Sequence, residues 1–104
     1  MSHRNVELIG STIRNGRIYF STADVKFFPS DAYADREGDG HAGVPVFFLC
    51  DGLKIKTDIR IISATRLSPR CSFTQVLKRV GAIEGAFFRV TRATEREYNV
   101  KYLG

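Results

Sequence analysis

The side chains best suited to covalent or metal chemistry are few: His3, His41, Cys50 and Cys71, with scattered carboxylates around them. Neither histidine has a Ser or Cys at a spacing that would let imidazole take its proton, which argues against nucleophilic catalysis. The four could be assembled on paper as zinc ligands, but zinc sites draw two ligands from one tight turn, and these separations do not provide that. The stretch "DREGDGHAG" offers oxygen ligands and glycines yet lacks the spaced Asp and closing Glu of a helix–loop–helix calcium site. Asp51 and Lys54 are close together, as in a metal-dependent nuclease, but no Glu-x-Lys occurs anywhere in the chain. "GSTIRNG" (10–16) reads as a connection between two strands, so it does not predict a phosphate-cradling loop before a helix. The expectation is a protein that is not an enzyme and holds no cofactor or metal.

Two segments free of carboxylates at their centres carry the remaining polar chemistry. The first offers Ser11, Thr12, Arg14, Asn15 and Arg17; the second, "RIISATRLSPR", offers Arg60, Ser63, Thr65, Arg66, Ser68 and Arg70. Arg, Asn, Ser and Thr are the side chains that reach base edges and backbone oxygens in a DNA groove. Eleven of the sixteen cations are Arg, whose planar fork matches phosphates and guanine edges, and the formal charge is +5. That charge is blocked. Residues 24–51 carry −4, whereas residues 52–80 carry +6 from Lys54, Lys56, Arg60, Arg66, Arg70, Lys78 and Arg79 against Asp58. A basic block beside an acidic loop would orient the protein on a polyanion. The plainer reading is two ordinary polar surface loops.

The elements that would position these residues are mostly strands. With 104 residues, the chain has room for one domain over 1–104, and 43% hydrophobic residues supply enough apolar surface for a core. Apolar and polar residues alternate along most of it, the period of half-buried strands. Strands are expected at Val6–Ile9, Arg17–Ser21, Val44–Cys50, Ala86–Arg92 and Tyr98–Leu103, with positive φ at the Asn15-Gly16 step and a tight turn at Asp51-Gly52. In "LKIKTDIRI", Leu53, Ile55, Thr57, Ile59 and Ile61 share one face; Lys54, Lys56, Asp58 and Arg60 share the other. The best helix is Phe73–Val80, with a Ser72-x-x-Gln75 capping box and Gly81 to end it. A weaker helical turn starts at Ser21 or Thr22 and stops before Pro29. Phe73, Phe87 and Phe88 are assigned to the core, and Tyr19 either to the core or to the edge of the first segment. The expected class is mainly β with one or two short helices.

At this point the residues resemble a known family. "LIGSTIRNGRIYFSTADVKFFP" (8–29) is similar to the opening of the plant B-three DNA-binding domain. "DIRIISATRLSPRCSFTQVLKRVGAIEGAFFRVTR" (58–92) is similar to its second arm, capped helix and following strand. The likeness is closer to the DNA-recognition domains of BfiI- and EcoRII-type restriction endonucleases and to small bacterial proteins. It is carried by Asn15-Gly16-Arg17-Ile18-Tyr19, Phe27-Phe28-Pro29 and Thr57-Asp58-Ile59. The chain departs from the family at Gly85-Ala86, where a Gly-Asp is usual, and in the loop from Pro29 to Gly43. The resemblance implies a seven-stranded open β-barrel, a pseudobarrel, in which two arms grip the major groove: Ser11–Arg17 and Asp58–Arg70. It implies double-stranded DNA as the partner of a monomer, with a nuclease or another protein as a further one. Arg14, Arg17, Arg60, Arg66 and Arg70 would divide between guanines and phosphates, Asn15 would suit adenine, and Lys54 and Lys56 the backbone. Asp58 would accept from cytosine, orient Arg60, or form a cross-strand ion pair.

Two other readings remain. One is a protein-binding accessory module using the acidic loop (Asp31, Asp35, Glu37, Asp39) and a strand edge. The other is a single-strand binder, which needs aromatic platforms that both segments largely lack. The polar start, Met1–Asn5, has no apolar leader core, no apolar run is long enough to span a membrane, and two unpaired cysteines suit a reducing compartment. A cytoplasmic protein without a membrane partner is expected.

Overall fold

A computed structural model describes residues 2–34 and 42–104. The chain order is β1 (His3–Glu7), α1 (Gly10–Asn15), β2 (Phe20–Ser21), a 3₁₀ helix at Thr22–Phe27, a 3₁₀ turn at Ser30–Ala32, then β3 (Val46–Cys50), β4 (Leu53–Thr57), β5 (Ile59–Ile61), β6 (Arg66–Pro69), α2 (Thr74–Val80), β7 (Phe87–Arg92) and β8 (Glu97–Tyr102). Among the described residues the strands form a five-stranded sheet, β1-β7-β8-β3-β4, and a three-stranded sheet, β2-β6-β5. All named pairs are antiparallel except β3 with β8. The mainly β class stands. The sheets have edges at β1, β4, β2 and β5, and no closed barrel is formed among these residues. No helix among them is long and apolar enough to cross a membrane.

Alternation accounts for the larger sheet. Register places Val6, Phe88, Val90, Tyr98, Val100, Val46, Phe48 and Cys50 on its inner face, all buried, while Asn5, Arg89, Lys101, Phe47, Lys54 and Lys56 point outward. Phe87 follows the outward parity and is 38% exposed, so it leaves the core that contains Phe73 and Phe88. The two-residue turn at Asp51-Gly52 has φ of 49° and 84°, the double positive φ that suits the twist of a hairpin.

The second sheet adds Phe20, Ile59 and Leu67 to the same core, and Phe27, Phe28, Phe73, Val76 and Leu77 close it. Aromatic rings fill its centre: Phe28 lies 4.9 Å from Tyr98 and 5.1 Å, edge to face, from Phe20. The Tyr98 hydroxyl donates to the Phe27 carbonyl at 2.9 Å, satisfying the one polar atom this ring brings inside.

Three local expectations are corrected. The run 53–61 is not one strand, because Thr57, Asp58 and Ile59 are buried in succession and the chain passes from one sheet into the other at Asp58. The first strand lies earlier than Val6–Ile9, and regular pairing in the second is confined to Phe20–Ser21. Most consequentially, "GSTIRN" is helical. Gly, Ser and Thr are poor helix formers, so the helix is held by tertiary contact. Gly16 ends it in the left-handed region (φ 68°), its amide donating to the Thr12 carbonyl at 2.8 Å and its carbonyl accepting from the Phe73 amide at 2.7 Å. A Cβ at Gly16 would lie 2.2 Å from Thr74 Oγ1, so α1 meets the start of α2 only through glycine. At α2 the capping box does not form: Phe73 occupies the N-cap position without a side-chain cap, Ser72 instead accepts from the Thr74 amide at 3.1 Å in a turn before the helix, and Gly81 (φ 65°) ends the helix as its position predicts.

Gly16→Ala should therefore destabilise the fold by more than about 1 kcal/mol in chemical denaturation, both through positive φ and through the clash. A second prediction concerns alkaline pH. Burial pushes the Tyr98 phenol up from 10.0 to about 12, against the opposing pull of Arg92 and Arg96, and burial likewise pushes Tyr33 to about 12. The folded state favours the neutral phenols, so their stabilising contribution is intact below pH 10 and is lost as pH rises from 10 through 12. Ultraviolet titration should show two late tyrosines, one of which Tyr98→Phe removes.

Candidate functional site

The two polar segments lie on different elements. Residues 10–15 form α1, which leaves Arg14 and Asn15 exposed, Ser11 and Arg17 half-buried and Thr12 buried. The second segment is the β5–β6 hairpin with its tip at 62–65, where Arg60, Thr65 and Arg66 are exposed and Ser63 is half-buried. The tip is fastened to the start of the 3₁₀ helix: the Thr22 amide donates to the Thr65 carbonyl at 3.2 Å and its hydroxyl to the Ala64 carbonyl at 2.9 Å. Pairing of Phe20 with Leu67 and Ser21 with Arg66 then holds the chain that leaves α1 alongside the hairpin.

Beside the hairpin, where β1 ends and β2 begins, lies a cleft of about 250 Å³ lined by Glu7, Ile9, Tyr19, Phe20, Ser21, Thr65 and Arg66; α1 does not line it. The Arg66 guanidinium sits 4.9 Å from the Tyr19 ring centroid. The ring's negative face attracts the cation and restrains it there, and an arginine so placed can donate to a bidentate acceptor. Of the residues lining this cleft, Glu7, Ile9 and Ser21 carried no signal in the sequence; they arrive there because β1 ends and β2 begins beside the hairpin.

Asp58, Thr12 and Ser68 lie beneath the surface and present no atom to a ligand docked on it. The Ser68 hydroxyl donates to the Ile18 carbonyl at 2.8 Å, tying β6 to the chain before β2. The Asp58 carboxylate accepts from Arg70 Nε at 2.8 Å and Nη2 at 2.5 Å and from the Gly43 amide at 2.8 Å. Its partner is thus Arg70 rather than Arg60, and the Arg70 fork is already occupied. Thr57 completes the corner, its hydroxyl donating to the Asp58 carbonyl at 2.9 Å and accepting from the Cys71 amide at 3.0 Å. Lys54 and Lys56 project from the outer face of the larger sheet, the Lys54 ammonium 4.6 Å from the Phe47 centroid. One Arg17 guanidinium nitrogen and the Thr12 hydroxyl are buried without a hydrogen-bond partner among the described residues, each a local cost that packing of α1 must offset.

Among the described residues no group of three His, Cys, Asp or Glu is placed to hold a metal. Both cysteines are free; Cys50 is buried and burial pushes its thiol up, away from the reactive thiolate. His41, Asp35, Glu37 and Asp39 lie outside the described residues. Asp31 is held bidentately by Arg96 Nη2, at 2.5 and 2.6 Å. A larger apolar groove of about 590 Å³ lies between the 3₁₀ helix and β5, bounded by Val25, Phe28, Pro29, Tyr33 and Ile61, with Lys26 and Arg92 as its charged lining among the described residues.

No protein-family model, no curated protein and no solved structure matches this chain.

The Asp58–Arg70 pair is asymmetric, its side chains being 3% and 44% exposed. Removing Arg70 strands a buried carboxylate, whereas neutralising Asp58 leaves a guanidinium that water can reach. Arg70→Ala should therefore cost about 3 kcal/mol and Asp58→Asn distinctly less, and Asp58→Asn should recover part of the loss in the double variant. Urea denaturation of the four proteins checks this.

Proposed function

We propose that this chain binds double-stranded DNA with sequence selectivity, gripping the major groove between α1 and the β5–β6 hairpin. The observation that carries the reading is the cleft in which the end of β1 and the start of β2 meet that hairpin, with the Arg66 guanidinium 4.9 Å from the Tyr19 ring centroid beside the exposed Thr65. Stacked guanidinium is pre-organised for guanine O6 and N7. Arg14 and Asn15, at the exposed end of α1, and Arg60 on the hairpin add donors, and Lys54 and Lys56 suit phosphates on the flank.

Dimensions support the reading. The molecule measures 36 × 27 × 23 Å, the longest axis comparable to about one turn of B-DNA, roughly 34 Å. Helix α1 is six residues, roughly 9 Å long, and fits end-on into a groove about 12 Å wide. In this proposal the two sheets are a variant of the B-three-type pseudobarrel. The protein acts as a cytoplasmic monomer that binds DNA without cleaving it, and a nuclease or other protein would supply any chemistry.

Binding measured by fluorescence anisotropy should weaken steeply with salt, by about 0.9 log unit per log unit of salt for each phosphate neutralised. Lys56→Ala should lower that slope by about one and weaken all sequences alike. A flat salt response would sink the proposal, as would magnesium-dependent cleavage that copurifies with the protein.

A further inference from the structure

We infer that Glu7 and Arg66, which line the same cleft, together read a cytosine and a guanine, making Glu7 a specificity-determining residue. The inference rests on the DNA-binding reading above and names what that site would recognise.

Glu7 is the last residue of β1, and its outward parity follows from its register with Phe87. It is exposed and lines the same cleft as Arg66, yet the two form no ion pair with each other among the described residues. Arg66 is oriented instead by Tyr19. A carboxylate at the centre of a surface for polyanions repels phosphate, so its presence lowers affinity for DNA in general. The base code resolves that conflict: a carboxylate accepts from the cytosine N4 amino group, while a planar guanidinium donates to guanine O6 and N7. Neither substitutes for the other, because each donor–acceptor pattern is unmatched by the wrong base. Glu7 then acts twice, attracting cytosine at one position and penalising every sequence that offers no amino donor there. Ser21 and Thr65 line the same cleft and suit either kind of base edge.

The test is selection from a pool of random duplexes at physiological salt, run in parallel on the wild type, Glu7→Gln and Arg66→Ala, with retained sequences read out by position. The wild type should enrich a motif containing a C and a G at neighbouring positions. Glu7→Gln should move preference at the C position toward A, whose N6 and N7 a glutamine amide matches, by about 5- to 150-fold in relative affinity. It should also bind unselected duplex more tightly than the wild type. Arg66→Ala should lose the G preference alone. Both side chains are exposed, so thermal midpoints should stay near the wild-type value. An enriched motif that Glu7→Gln leaves unchanged overturns this inference while preserving the DNA-binding reading. No enriched motif with the wild type overturns the reading itself.

Discussion

The corner at Asp58 sets the rest of the structure. There the chain leaves the five-stranded sheet and enters the three-stranded one within a single residue, which turns backbone and side chain inward together. A buried carboxylate is costly unless paired and hydrogen-bonded, and here it accepts from the Arg70 fork and from the Gly43 amide, while its carbonyl accepts from the Arg70 amide and the Thr57 hydroxyl. Few apolar residues could hold both chain ends of the β5–β6 hairpin and the incoming loop at one point. A Cβ at Gly43 would lie 2.1 Å from the Ala32 carbonyl oxygen, so the loop reaches this carboxylate only through glycine.

From that corner the hairpin projects in a defined direction, and its tip is tied down again by Thr22. The cleft beside it owes its shape to both fastenings. Arg70, which by composition looks like any other arginine of the basic block, is consumed in holding the corner. Arg66, four residues earlier, is left to a different task because Tyr19 stacks on it and no described carboxylate pairs with it. Identical side chains in one short segment thus divide between holding the fold and facing outward, and the division follows from burial of the partner rather than from the cation.

In the proposed reading the site works by recognition, with Arg66 held over Tyr19 before docking, which lowers the entropy lost on binding.

Much of the framework was legible in the sequence. The apolar run located β3, alternation located β7 and β8, the Asp51-Gly52 step identified a hairpin, and Gly81 marked the end of a helix. These signals act through the dihedral preferences and side-chain direction of a few adjacent residues, so each is complete in its own segment. Tertiary structure decided the remainder. Weak intrinsic propensity left 10–16 readable as a loop until contact with α2 made it a helix. The alternation through 53–61 gave no warning that Asp58 would be a corner, since its partner Arg70 lies beyond the end of β6. Glu7 showed nothing in isolation, because what makes it notable is a hairpin tip some sixty residues away in the chain. Local order is written in neighbouring residues, whereas the partners of a charge are chosen by the packing of segments far apart in sequence, where burial of the shared core outweighs local preference.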